Sequence, residues 1–275
     1  MSSFRSLVLA GFSCFAFTGA AHATVDSVWL FKYEDYVQTS HAAPTTPVNR
    51  SFYTYVLADA GDFSEAATLN GPLGPLPTTF YSDEDITTSE YYVEGFSSRA
   101  ELDAAAPNGD YAFTLNGGPL GGQTGSVPLV NPWPEQIPTL TSASFDALQI
   151  ANPGQSISVE WNTFFPSVLA EDARVRVFLL DETDFEFPIT EGDLPANTTG
   201  FTIPAGLLQA GHQYDFSVLF SNMTETTGPA FGSASVLSDV YVGTSISFTV
   251  VPEPSSVVLM ALGLAGLALP GRRRA

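Results

Sequence analysis

Gln213-Tyr214-Asp215-Phe216-Ser217-Val218-Leu219-Phe220 sets Tyr214, Phe216, Val218 and Phe220 at every second position, with Asp215 and Ser217 between them. A period of two with one wet face predicts an antiparallel strand packed on one side. The same period recurs in Ile157, Val159 and Trp161, in Val175, Val177 and Leu179, and in Ile246, Phe248 and Val250. Several such strands separated by turn residues predict a β-sandwich over 139–250.

Upstream of it, 10 of the 23 residues in 116–138 are Gly or Pro, and 119–138 reads as a linker. Residues 24–118 form a less regular β-rich region, with strands predicted at 28–33, 52–57, 78–81, 91–96 and 111–115. One helix is predicted over 99–106: Ser98 with Glu101 makes a capping box, Leu102 faces the core, and Pro107-Asn108-Gly109 ends it. The predicted fold class is all-β, with two β-sandwich domains in tandem flanked by two segments outside the fold.

At the amino end, Arg5, an apolar stretch over 7–17 and Ala21-His22-Ala23 read as a secretory signal peptide, 1–23, cut before Thr24 by signal peptidase. Cys14, the only cysteine, leaves with it, so thiol catalysis, thiolate metal sites and disulfides are excluded from the mature chain. At the other end, 251–275 holds Pro252-Glu253-Pro254, an uncharged run through Gly271, and Arg272-Arg273-Arg274. The 18 residues of 254–271 would extend about 27 Å as a helix, close to the ~30 Å hydrocarbon core. Arg272, Arg273 and Arg274 would anchor that span on the cytoplasmic side, placing the body across the inner membrane.

Motif, short span and arginine cluster in this order resemble the PEP-CTERM sorting signal of Gram-negative bacteria, over about a tenth of the chain. The resemblance implies an exosortase as partner, recognition at Pro252, Glu253 and Pro254, transient membrane anchoring, and delivery to the cell surface or to an extracellular, exopolysaccharide-rich biofilm matrix. Trp161 on an early strand, Phe201-Thr202-Ile203-Pro204, and a tyrosine corner at 208–214 make 139–250 similar to fibronectin type III or immunoglobulin-like domains.

Chemistry is sparse. His41 and His212 are the only histidines left after export, and no H-x-x-x-H pair, G-x-S-x-G elbow or phosphate-binding glycine loop is present. A glycosidase would need two carboxyls ~5–9.5 Å apart, a spacing the fold decides. Asp83-Glu84-Asp85 and Asp181-Glu182-Thr183-Asp184 read as solvated turns, with weak calcium binding the alternative. Trp133, between Pro132 and Pro134, is the candidate glycan contact, the alternative being a ring packed on a neighbouring domain. The expectation is a non-enzymatic, cofactor-free surface or matrix protein; a carbohydrate-binding module and a polysaccharide hydrolase are the alternatives.

The chain carries 29 acidic and 9 basic residues. Losing Arg5, Glu253 and Arg272–Arg274 leaves 28 against 5, a net of −23, spread over both halves. Such a surface excludes nucleic-acid binding, which needs clustered cations.

Overall fold

The computed structural model describes residues 24–227 and 235–251. The signal peptide with Ala21 and Ala23, and the tail with Pro252, Glu253, Pro254 and Arg272–Arg274, lie outside the described residues. Among the described residues no helix is long and apolar enough to cross a membrane.

The first half runs β1 (Val25–Val37), β2 (Asn49–Asp59), β3 (Glu65–Gly71), β4 (Gly74–Leu76), β5 (Thr79–Ser82), β6 (Ile86–Glu94), α1 (Arg99–Ala105), β7 (Gly109–Asn116) and β8 (Thr124–Leu129). The second runs α2 (Ser142–Gln149), β9 (Ile157–Glu160), β10 (Asp172–Asp181), β11 (Glu186–Pro195), β12 (Gly200–Ile203), β13 (Gln213–Thr227) and β14 (Ser235–Thr249).

Eight strands from both halves form one sheet, in the order β11-β10-β13-β14-β1-β2-β6-β5. The seam is β1 against β14, a parallel pair running from Ser27 opposite Ser235 to Val37 opposite Ser245. This continuous sheet differs from the expected pair of separate sandwiches. The physical reason is length: β13 and β14 have 15 residues each, about 50 Å at ~3.3 Å per residue, enough for their two ends to serve two cores. On β14, Val236 and Val240 enter the first core while Ile246 and Phe248 enter the second.

The alternation fixes which face does this. Val28, Leu30, Phe52 and Val56 face the four-stranded sheet β4-β3-β7-β8, closing the first core with Phe63, Tyr111, Phe113 and Leu102. Farther along the same face, Val175, Val177, Leu179, Tyr214, Phe216, Val218 and Phe220 pack with Val159, Trp161 and Ile203 of the small β12-β9 sheet and Leu148 of α2. The opposite face carries Phe31, Tyr33, Tyr53, Tyr55, Met223 and Leu237. There Trp29 stacks on Tyr55 at 5.8 Å and Tyr33 on Tyr241 at 5.0 Å, so neighbouring rings cover each other's faces.

The stretch expected to be a linker contains β8, paired antiparallel with β7 from Gly109 opposite Leu129 to Thr114 opposite Thr124. Gly125 and Pro128 are compatible with a strand here because β8 is an edge, where a missing ladder hydrogen bond faces no partner. The predicted helix forms as α1. The Ser98 hydroxyl accepts from Glu101 N–H at 3.1 Å, and Glu101 reaches back to Ser97 N–H at 2.8 Å, one residue earlier than a standard capping box.

Candidate functional site

Two places could carry function, the exit of the sorting tail and the polar clusters of the body. β14 holds the chain in register to its end: Val250 N–H donates to His212 C=O at 3.0 Å, and Gly211 N–H to Val250 C=O at 2.8 Å. Val251 then stands exposed. In the sequence Pro252-Glu253-Pro254 begins two residues after Val250, the last residue held by these backbone hydrogen bonds.

Beside this exit lies the tyrosine corner. The Tyr214 hydroxyl accepts from Gln209 N–H at 2.9 Å and donates to Asp181. Asp181 Oδ1 accepts from Thr183 N–H at 2.9 Å and Asp184 N–H at 3.3 Å, and Oδ2 lies 2.8 Å from His212 Nδ1. Burial pushes the Asp181 carboxyl up, but His212, these amides and Tyr214 together hold it below the usual carboxylate range. The acidic turn 181–184 and the corner 208–214, singled out separately in the sequence, thus meet, with His212 tucked against Asp181.

His212 Nδ1 and one oxygen from each of Asp181 and Asp184 lie within 4.8 Å of one another. Two carboxylates with an imidazole suit a borderline transition metal better than calcium, which prefers oxygen ligands. Asp181 is the most engaged of the three, since both its oxygens close the corner. At the other acidic turn, Asp83 Oδ1 accepts from Asp85 N–H at 2.9 Å and Ile86 N–H at 2.8 Å, which holds its carboxyl low and shapes the turn between β5 and β6. His41 Nε2 lies 2.7 Å from Asp146 on the surface.

Trp133 is built into the first half. Its Nε1–H donates to the Asp103 carboxylate at 3.2 Å and the Arg99 guanidinium lies 4.9 Å from the ring centroid, a cation–π contact. One ring face and the indole N–H, the groups a sugar would use, are thereby engaged with α1. Arg99 also donates to Glu34 at 2.5 Å, Arg50 donates to the other Glu34 oxygen at 2.6 Å, and Lys32 donates to Asp103 at 2.9 Å and Asn108 at 3.1 Å. Farther along the sheet Arg176 pairs with buried Asp239 at 2.8 Å, and Arg174 with Asp172 at 2.6 Å. Every one of the five cations in 24–251 is thus paired with a carboxylate. Sequence reasoning counted these cations but did not find their partners; only Ser98 and Glu101, which place α1, hinted at where Arg99 and Asp103 would sit.

No curated protein matches the chain. Among solved structures it is similar to a biofilm-associated protein, BSP domain, at 15% identity and TM-score 0.23, over 84% of this chain and 30% of that one. It is also similar to domains A168–A170 of titin, at 12% identity and TM-score 0.22, over 75% and 59%. The chain spans less than two thirds of either. Residues 250–274 match the PEP-CTERM protein-sorting motif, which implies an exported protein with an exosortase as its processing partner.

Proposed function

We propose that this chain is a non-enzymatic surface or extracellular matrix protein whose body is an acidic β-structure and whose tail is a disposable address. The match of residues 250–274 to the sorting motif carries the reading. In it, the uncharged run over 254–271 halts the exported chain in the inner membrane, with Arg272, Arg273 and Arg274 on the cytoplasmic side. The exosortase then recognises Pro252, Glu253 and Pro254, and the body passes to the cell surface or the matrix outside.

Two features of the body support this. The strand pairing of the body ends at Val250, and Val251, the last residue before the motif, is exposed. The internal pairing of all five cations leaves a surface dominated by carboxylates, which favours solubility and mutual repulsion outside the cell. No cofactor is needed for such a role, and Trp133, engaged by Arg99 and Asp103, gives the carbohydrate-binding alternative no added weight. The test is the intact mass of the exported protein, with and without the sorting enzyme. Processing gives a chain ending near Pro254; a species that keeps Arg272–Arg274 in the presence of the enzyme overturns the reading.

A further inference from the structure

The corner where β1 begins collects carboxylates and no basic side chain. Asp26 is the extra residue of a bulge between Val25 and Ser27. Asp59 ends β2, and Asp62 N–H donates to its carbonyl at 3.1 Å in the turn that follows. Ala60 N–H donates to Asp85 C=O at 3.1 Å, which brings in the turn of Asp83, Glu84 and Asp85. The loop on the remaining side, 117–122, is uncharged, and Leu120 N–H donates to Asp62 C=O at 2.8 Å. All five cations of the body are paired elsewhere. Burial, with Asp59 and Asp62 close by, pushes the Asp26 carboxyl up to about 6, as expected where acids crowd without a countercharge. Into this corner points the backbone nitrogen of Thr24, 3.0 Å from Asp62 Oδ2.

In the unprocessed chain that nitrogen is a neutral amide. Hydrolysis of the Ala23–Thr24 bond adds one water: its oxygen leaves on the Ala23 carboxylate, and the Thr24 nitrogen becomes an ammonium. We propose that removal of the leader completes this corner, the new Thr24 ammonium forming an ion pair with Asp62 beside Asp26 and Asp59, so that the exported chain becomes more stable than its precursor. The proposal rests on the export reading above and adds to it a structural role for the mature amino terminus.

The sign follows from linkage. An ammonium that gains a carboxylate partner on folding has its pKa raised above the ordinary ~7.7–8.0. Its stabilisation is therefore fully present below ~7.7 and is lost as the pH rises through the higher folded value.

The exported, processed protein provides its own test. Lys32 is the only lysine and its side chain is 1% exposed, so the α-amine is the one amine that acetic anhydride reaches readily in the folded chain. Intact mass establishes that the chain starts at Thr24, and the pH dependence of acetylation gives the pKa. The expected value is about one unit above the ordinary one, a roughly tenfold smaller free-amine fraction at neutral pH, with return towards ordinary in Asp62→Asn. Acetylation should lower Tm by about 2–4 °C at pH 7, with the difference gone by about pH 10. If Asp62→Asn does not fold, Asp59→Asn should show a smaller fall in the same pKa. An ordinary pKa with no loss of Tm, in a chain that starts at Thr24, overturns the ion pair alone. A mature chain that keeps residues before Thr24 overturns the leader reading, and the ion pair with it.

Discussion

The two cores share one sheet but are built differently. The second, around Val177, Leu179, Phe216 and Val218, buries apolar side chains and, among the described residues, holds no ion pair between them; its charged group, Asp181, sits at the rim with Tyr214. The first has charges inside it. Lys32 and Glu34 stand on the same face of β1 as Val28 and Leu30, their side chains 1% and 2% exposed, and α1 supplies Asp103 and Arg99 to meet them. Burying such groups is unfavourable unless each is paired, so the first core depends on specific partners where the second depends on volume. The contrast teaches that α1 is less a connection than a clamp: residues four apart on one helix, Arg99 and Asp103, answer Lys32 and Glu34 on β1 and hold Trp133 by one ring face and by its N–H.

The largest way to break that contrast is Glu34→Ala, which strands both Arg50 and Arg99. Loss of about 3–5 kcal/mol is expected in urea unfolding, because an uncompensated charge stays behind. A cost below 1 kcal/mol would show the pairing to be incidental. Leu179→Ala probes the second core by volume alone and should cost about 2–4 kcal/mol, through lost burial plus the cavity left behind. Smaller again is Tyr214→Phe, which keeps the ring but leaves Gln209 N–H and Asp181 without the hydroxyl; about 1–2 kcal/mol is expected. An unchanged urea midpoint in this variant would mean that water replaces the hydroxyl at no cost.

The same contrast explains what could be read from the sequence. β13 up to Phe220 and the end of β14 have one buried face, so their period is visible in the letters. β1, VDSVWLFKYEDYV, is buried on both faces, with Trp29, Phe31 and Tyr33 on one side and Leu30, Lys32 and Glu34 on the other, and no period survives. Composition hid β8, because Gly and Pro signal a break unless one knows the strand is an edge. The long reach of β13 and β14 was hidden for another reason: the alternation at 214–220 gives way at Ser221 and Asn222, which are buried polar residues. The sorting motif was fully legible because it is a contiguous string of residues that needs no fold to be recognised in the letters. The meeting of His212 with Asp181 was not, since it depends on Asp181 lying opposite Tyr214 in the β10–β13 register.

Protonation offers the smallest but most discriminating test. On the aromatic face of the shared sheet, burial, with Glu34 adjacent, pushes the Asp35 carboxyl up to about 7. Burial also raises Asp239 to about 6, against the pull of Arg176 and Ser221. A carboxyl whose folded pKa is raised binds protons more readily in the folded state. Its favourable contribution is complete below the unfolded value of ~3.9 and is lost as the pH rises through the folded one. Tm should therefore increase as pH falls from 8 to 5, against the usual expectation that paired carboxylates favour neutral pH. Asp35→Asn removes one of the responsible groups without stranding an arginine, and should cut that increase by roughly 2–4 °C for each pH unit below about 7, with little effect above it. Asp181, held low by His212 and its amides, has the opposite sign: its contribution is present above ~3.9 and is lost only as the pH falls through its lower folded value. A pH profile of Tm that rises towards 5 and turns down in stronger acid would show the buried acids of the shared sheet and the corner of the second core acting with opposite sign. A flat slope above pH 6, unaltered by Asp35→Asn, would mean that Asp35 stays hydrated in the folded chain.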